Sequence, residues 1–581
     1  MKKIVKRMAL ILVLAMLATS LGGCEFLWTM LHWTHDGSSP VGPGGNEQLV
    51  TTTPAPVTTP APVTTPGSTD TPDVNIEKVD IAFTLTDEDI ARIDGMIDNC
   101  KTLSYSKTAS REEVEQAWED LEEQLSFVSD QCSFAMILYY MDTSKEEANQ
   151  LYLDAYDDYL ALADKANLLQ KDMYEDSPVK DWFFEDWTEE EIAYLQSYTS
   201  EQVEIQAKIE ENNTKFVELE DDEVVTQFTE LYIELVTLGN RQAQLSGYDN
   251  YYDYMSAMSY DRDYSAADRE KFRNFVKTYL VPAYETAFNK VMSSAQTVSY
   301  EGYNFWMSFM SDDYDSLDRN YLQAYIDSTT GSTHEHLTAL FESGNYVMTD
   351  NPNAREGAFC TYFDYYDQGF CFFGPGYQST STVIHEMGHY YANTFVEDST
   401  PFDLLETHSQ GNEMLLLAHM GKKAPPVGYE LTKNYELFDQ LITIIISCMV
   451  DEFESQIYAM EDVSGLTEEQ VTQMITAICD DYFADYGGED FVNENLTDMQ
   501  WYIRYVSGLS PAYYISYATS GVTAMNIFAQ AQEDTAAARE LYRKLVEEAP
   551  QVEGYEAALK SVGAASPFDE ESFKTIVALF K

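Results

Sequence analysis

A mainly helical fold is what this sequence predicts, and three observations predict it. Helix-start signatures recur: Ser110, Ser144, Thr188 and Thr467 are followed three positions later by Glu113, Glu147, Glu191 and Gln470, and then by amphipathic sequence. In such a box the hydroxyl accepts from a backbone N–H while the acidic or amide side chain reaches back to the cap. Strand-like sequence is scarce, the best stretch being Gly369-Phe370-Cys371-Phe372-Phe373 before the turn-forming Gly374-Pro375-Gly376. No helical repeat period emerges, which argues against a solenoid. The 581 residues, 45% apolar and 13% aromatic, supply ample material for a large core.

The chain opens on a segment with the pattern of an export signal. Lys2, Lys3, Lys6 and Arg7 precede an apolar stretch from Met8 to Leu17, and Leu21-Gly22-Gly23-Cys24 closes it. Those four residues resemble the lipobox of bacterial lipoproteins, which implies that Cys24 begins the mature chain and carries the lipid. Residues 1–23 are then the signal and 24–78 a linker rich in Pro and Thr, in which TTPAPV repeats from Thr52 through Val63. As extended polyproline at about 3.1 Å per residue, the linker reaches up to roughly 100 Å from the lipid. Residues 79–330 read as an N-terminal helical region and 331–581 as the region that carries the chemistry. The longest later aliphatic run, Leu441 to Val450, falls far short of the roughly 20 residues a bilayer span needs. The sequence therefore predicts an extracytoplasmic protein held to the membrane by Cys24 alone.

With 34 basic against 99 acidic residues the formal charge is −65, and such a surface repels phosphate backbones, so nucleic acid is excluded as a partner. Apart from Cys24, six cysteines remain (Cys100, Cys132, Cys360, Cys371, Cys448 and Cys479). They are too sparse for a disulfide scaffold and form no CxxC pair; they read as mostly buried thiols with pairing open.

The strongest chemical signal is His385-Glu386-Met387-Gly388-His389, an HExxH pattern in a chain with only eight histidines. Residues 381–395 read as a helix with an apolar stripe of Ile384, Met387 or Gly388, Tyr391 and Phe395. The two histidines stand one turn apart beside that stripe, the separation at which both imidazoles can reach one Zn2+ at about 2.0 to 2.1 Å. Glu386 lies off that line, where it can accept a proton from an activated water.

A catalytic zinc keeps a position for water and so needs a third protein ligand. Ala392 and Phe395 occupy the positions that HExxHxxGxxH would require, which leaves the carboxylates Glu397, Asp398, Asp403, Glu406 and Glu413. Thr400-Pro401 reads as a cap and first-turn proline of a second helix that runs through Met420. Glu406, Ser409, Gln410 and Glu413 share one face of it. Glu406 could equally serve as a capping-box partner of Asp403, and Glu413 is the next candidate.

Several segments together resemble the M3 family of zinc oligopeptidases, particularly the oligoendopeptidase F branch. They are Arg355-Glu356-Gly357-Ala358-Phe359-Cys360, the apolar strand-like stretch, the HExxH pattern and Glu406-Thr407-His408-Ser409-Gln410, in the family's order. The resemblance is specific from about residue 350 to 420. It implies a helical clamshell with a deep channel that admits short unstructured peptides, one bound Zn2+, Glu406 as third ligand and Ser409 as its support. If so, Glu413→Gln is expected to leave metal content nearly unchanged. Ser510-Pro511-Ala512-Tyr513-Tyr514-Ile515-Ser516-Tyr517-Ala518 looks like the family's tyrosine-rich segment, whose hydroxyls stabilise an oxyanion. This implies Tyr517 as the principal donor, with Tyr513 and Tyr514 behind it. The chain departs from the family in having no histidine after His419; Tyr502, Tyr505 or Ser507 must fill that neighbourhood.

The function expected is zinc-dependent hydrolysis of peptide bonds in short peptides, with the strand around Phe370 to Phe373 pairing with the substrate backbone by edge addition. The alternatives are a helical zinc carboxypeptidase, and a non-catalytic peptide-binding lipoprotein on the same scaffold. His334 and His336 form only an HxH pair, read as surface residues. His408 and His419 could support the metal site, although nothing in their spacing demands it.

Overall fold

The computed structural model describes residues 76–581 apart from 186, 188–191, 193–194, 218–223, 311–318, 397–399, 423–424, 484–498 and 501. The segment read as a signal, Cys24 and the expected linker through residue 75 lie outside the described residues, as do the expected cap at Thr188 and the candidate carboxylates Glu397 and Asp398.

Helices dominate, as the capping signatures predict. Three long ones open the described chain: α1 (Asp87–Ser104), α2 (Arg111–Tyr140) and α3 (Glu146–Asp176). The Ser110 box forms, with Glu113 N–H donating to Ser110 Oγ at 3.2 Å and Ser110 N–H to Glu113 Oε2 at 2.8 Å. Thr467 and Gln470 form the same reciprocal pair ahead of the helix Glu468–Phe483. The Ser144 box does not form, because Ser144 Oγ donates to Asp142 Oδ1 at 2.6 Å and Lys145 takes the cap position. Ile93, Trp118, Leu121 and Leu162 are among the side chains that close a core between the three helices.

The minor strand element is a three-stranded sheet: β1 (Tyr346–Met348), β2 (Ala358–Phe363) and β3 (Gln368–Phe373). Its order is β1-β3-β2. β1 runs parallel to β3 with Tyr346 opposite Cys371, and β2 runs antiparallel with Cys360 opposite Cys371. Side chains alternate across a strand, and both faces of β3 are buried. Phe370 and Phe372 join Phe134 and Tyr140 of α2 in one apolar cluster, while Cys371 and Phe373 belong to the large core that carries the site. Asp130 of α2 takes the Tyr365 N–H of the β2–β3 turn at 2.9 Å.

The strand order corrects one expectation. β3 is the central strand, so along Cys371–Phe373 both of its backbone edges are paired and no substrate can add there. The strand that covers it, β1, is only three residues long, too short to show an alternating pattern. The sheet's outer edges belong to β1 and β2, and of the two only β2, six residues long, offers the backbone an added strand needs.

Beyond the sheet come α4 (Thr380–Ala392), α5 (Phe402–Met420), α6 (Tyr429–Tyr458), α7 (Ile515–Glu533) and α8 (Thr535–Glu547). α5 is buried nearly all round, packed against α4, α7 and α8. None of the six described cysteines is joined in a disulfide, and five of them are buried. Among the described residues no helix is long and apolar enough to cross a membrane.

Candidate active site

α4 starts where Ser379 Oγ accepts from the Thr382 N–H at 3.1 Å, and it carries the HExxH residues through its middle. Gly388 is the point where α4 and α5 touch. A Cβ there would stand 2.6 Å from His408 O and 2.7 Å from Ser409 Cα, so only glycine lets the backbones approach this closely. α5 begins one residue later than the Thr400 cap implies, with Pro401 at the cap position and no side-chain cap bond. Asn412 Nδ2 donates to Ile384 O at 2.9 Å and ties the two helices together a second time.

The crossing brings Glu406 to the histidine pair. Its Oε2 lies 3.6 Å from His385 Nε2 and 3.7 Å from His389 Nε2. The three ligand atoms all lie within 4.8 Å of one another, a set able to hold a metal ion. Ser409 Oγ donates to Glu406 Oε2 at 3.0 Å, and the Tyr513 hydroxyl donates to Oε1. Glu406 is no capping-box residue. Asp403, the supposed partner and itself a candidate ligand, is wholly buried in contacts with Arg262, Tyr264, Ser516 and Thr519. Glu413 stands behind the set, with its Oε1 2.6 Å from His385 Nδ1 and its Oε2 3.4 Å from Gln440 Nε2.

Burial presses the His385 pKa down, but the hydrogen bond to Glu413 and the surrounding carboxylates outweigh it and bring it up to about 9. Burial, with His385 nearby, pushes His389 well below the usual imidazole range. Burial also raises Glu406 and lifts Glu386 up to about 8. Glu386 Oε2 is buried and has no hydrogen-bond partner, an arrangement that costs stability unless something else engages the oxygen.

The tyrosine segment packs beside Glu406, on the turn that leads into α7. Tyr513, Tyr514 and Tyr517 form one cluster, the Tyr517 ring centroid 5.1 Å from Tyr513 and 5.6 Å from Tyr514. Tyr517 is the least buried of the three at 8% exposed. Of the residues expected to stand in for a histidine, Tyr502 reaches the cluster, its hydroxyl donating to Tyr514 Oη at 3.3 Å. Tyr505 instead stacks on Phe228.

The remaining described histidines are not members of the set. His336 is buried and not a surface residue: its ring lies against Tyr391 and Phe395, with Nδ1 2.9 Å from Ser332 O. An i, i+2 spacing puts the HxH pair on different faces of its helix, so only one of them meets the core. His408 binds Leu545 O through Nε2 at 2.9 Å, and burial pushes it down to about 4. His419 pairs with Ser328 and Arg539.

No protein-family model matches the sequence, and no curated protein matches it. Solved structures do match in shape. PZ peptidase A, solved with an inhibitor, superposes with a TM-score of 0.63 at 17% identity, over 84% of this chain and 96% of its own. A protein provisionally assigned as oligoendopeptidase F gives 0.64 at 19% identity, over 86% and 97%. Oligoendopeptidase F from Enterococcus faecium gives 0.53 at 13% identity, over 85% and 96%. The chain has the M3 peptidase fold. The M3 fold extends well beyond the segment in which the sequence motifs are specific.

Proposed function

We propose that the chain is a zinc-dependent peptidase that cleaves internal bonds of short, unstructured peptides. The observation that carries this reading is the joint arrangement of His385, His389 and Glu406 around one point, with an unpartnered carboxylate oxygen of Glu386 beside them. Zinc fits the donors: two imidazole nitrogens and one carboxylate oxygen leave a fourth tetrahedral position open. When bound, zinc supplies Lewis acidity that polarises a carbonyl and lowers the pKa of water.

The chain's own residues do the rest. His385 and His389 present Nε2, and Glu413 holds the first ring by its Nδ1–H. Glu386, with one carboxylate oxygen that no protein group engages, takes the proton of the attacking water and returns it to the leaving amine. Tyr517 donates to the developing oxyanion, a role that suits the least buried of the three tyrosines. Tyr513 has its hydroxyl committed to Glu406 and so acts on the ligand rather than the substrate. The backbone edge of β2 is the place for an extended substrate to add. The Leu21 to Cys24 pattern supports a working place outside the cytoplasm, on a lipid tether.

The test is a peptide of about eight residues blocked at both ends, incubated with zinc-loaded protein and read by mass spectrometry. Internal cleavage that is lost on chelation is expected. An untouched peptide overturns the reading in favour of an exopeptidase or a binding protein.

A further inference from the structure

Arg262 is fully buried, far from either end of the HExxH pattern in sequence, and plays no part in the chemistry above. It lies between the helices Tyr251–Met258 and Ala266–Phe275. Its Nε meets Asp403 Oδ2 at 3.1 Å, and its Nη2 meets Ser516 Oγ at 2.8 Å and Tyr513 O at 3.3 Å. Its Nη1 donates to Ala512 O. One planar guanidinium thus joins α5, three residues ahead of Glu406, to the turn that carries Tyr513.

That turn needs holding. Ala512 has a φ of +61°, a left-handed conformation that a side-chain-bearing residue adopts only where its surroundings impose it. Arg262 grips the Ala512 carbonyl, and Glu454 Oε1 accepts the Ala512 N–H at 3.1 Å. The next residue is Tyr513, whose hydroxyl holds Glu406 Oε1 and leaves Oε2 facing the two Nε2 atoms.

From this geometry we propose that Arg262 is a positioning residue for the metal site. By clamping the left-handed Ala512 turn to Asp403 it sets where the Tyr513 hydroxyl meets Glu406, and through that bond it sets how tightly the site binds zinc. The inference rests on the zinc reading above. Lysine cannot replace the fork, because a single ammonium cannot serve Asp403, two carbonyls and Ser516 in this plane.

The experiment is a double-mutant cycle read as zinc affinity by competition with a chelator, with thermal midpoints recorded in parallel. Arg262→Lys and Tyr513→Phe are each expected to weaken zinc by about tenfold or more, the scale of ligand-orienting partners. In the double variant Arg262→Lys should add nothing, since it acts through the hydroxyl already removed. Equal losses from Arg262→Lys with and without Tyr513→Phe, or a folded Arg262→Lys with unchanged affinity, overturn the proposal. Should Arg262→Lys not fold, Ser516→Ala removes one arm of the clamp. Its smaller loss, about threefold, must likewise vanish in the Tyr513→Phe background. A wild-type chain that binds no zinc overturns the metal reading and this proposal together. Zinc binding without peptide cleavage overturns only the hydrolase reading.

Discussion

Glu413 and His385 meet through Nδ1, 2.6 Å apart, so the proton of that nitrogen points at a carboxylate and Nε2 is the atom left facing Glu406. The contact fixes one tautomer and one ring orientation. It changes the expectation that Glu413 is a bystander once Glu406 is the ligand. Glu413→Gln keeps an acceptor but loses the charge, and is expected to weaken zinc by about tenfold or more. Competition with a chelator measures it, and an unchanged affinity would refute the orienting role.

Glu386→Gln should bind zinc as the parent does, yet lose at least about a hundredfold in kcat, the scale of a general base. The buried oxygen without a partner makes this separation clean, because no other group in the site uses it. Full activity in the variant would sink the mechanism.

The α4–α5 crossing gives a third prediction. Gly388→Ala places a Cβ against the His408 carbonyl, a backbone atom that cannot swing aside. The helices must separate, at a cost of about 1–3 kcal/mol, and Glu406 moves off the histidine pair. A lowered melting temperature together with lost zinc is expected. Glu406→Gln, by contrast, should lose zinc sharply with little change in melting temperature of the metal-free protein. Metal per chain and calorimetry distinguish the two.

A fourth concerns pH. Burial, with Asp364 nearby, raises the Asp130 carboxyl from 3.8 up to about 8, although backbone N–H groups of the β2–β3 turn pull it the other way. A raised acid holds more protons folded than unfolded in that window. Its contribution is full below about pH 4 and is lost as the pH rises through about 8. Denaturant midpoints between pH 5 and 8 should therefore fall less in Asp130→Asn than in the parent. Parallel curves would show that Asp130 stays ionised.

The site was legible in sequence wherever its chemistry is local. His385, Glu386 and His389 sit within five residues, and Ser409 supports Glu406 within one helical turn. Arg262 and Asp403 were not legible, because 141 positions separate them and neither belongs to a motif. Among helix starts, Thr86 with Asp89 and Ser265 with Asp268 form boxes that a search for Glu or Gln at the third position passes over. Ser144 fits the pattern and fails because Asp142 captures its hydroxyl. β3 was recognisable as a strand from its composition, but its central place depends on a parallel partner 25 residues away in register, which no alternation in β1 announces.

The two-sided pairing of β3 also sets a gradient of amide protection within one small sheet. Along Cys371–Phe373 the N–H groups are enclosed by β1, β2 and two apolar layers, so they exchange with solvent deuterium only through large openings of the body. β2 has a strand on one side only, and every second N–H along it points away from β3. Those outward amides are the fast-exchanging ones in the resting protein. A peptide added to that edge would slow them in alternation while leaving β3 at its former pace, so the register of a bound ligand could be read from exchange rates along Ala358–Phe363 alone.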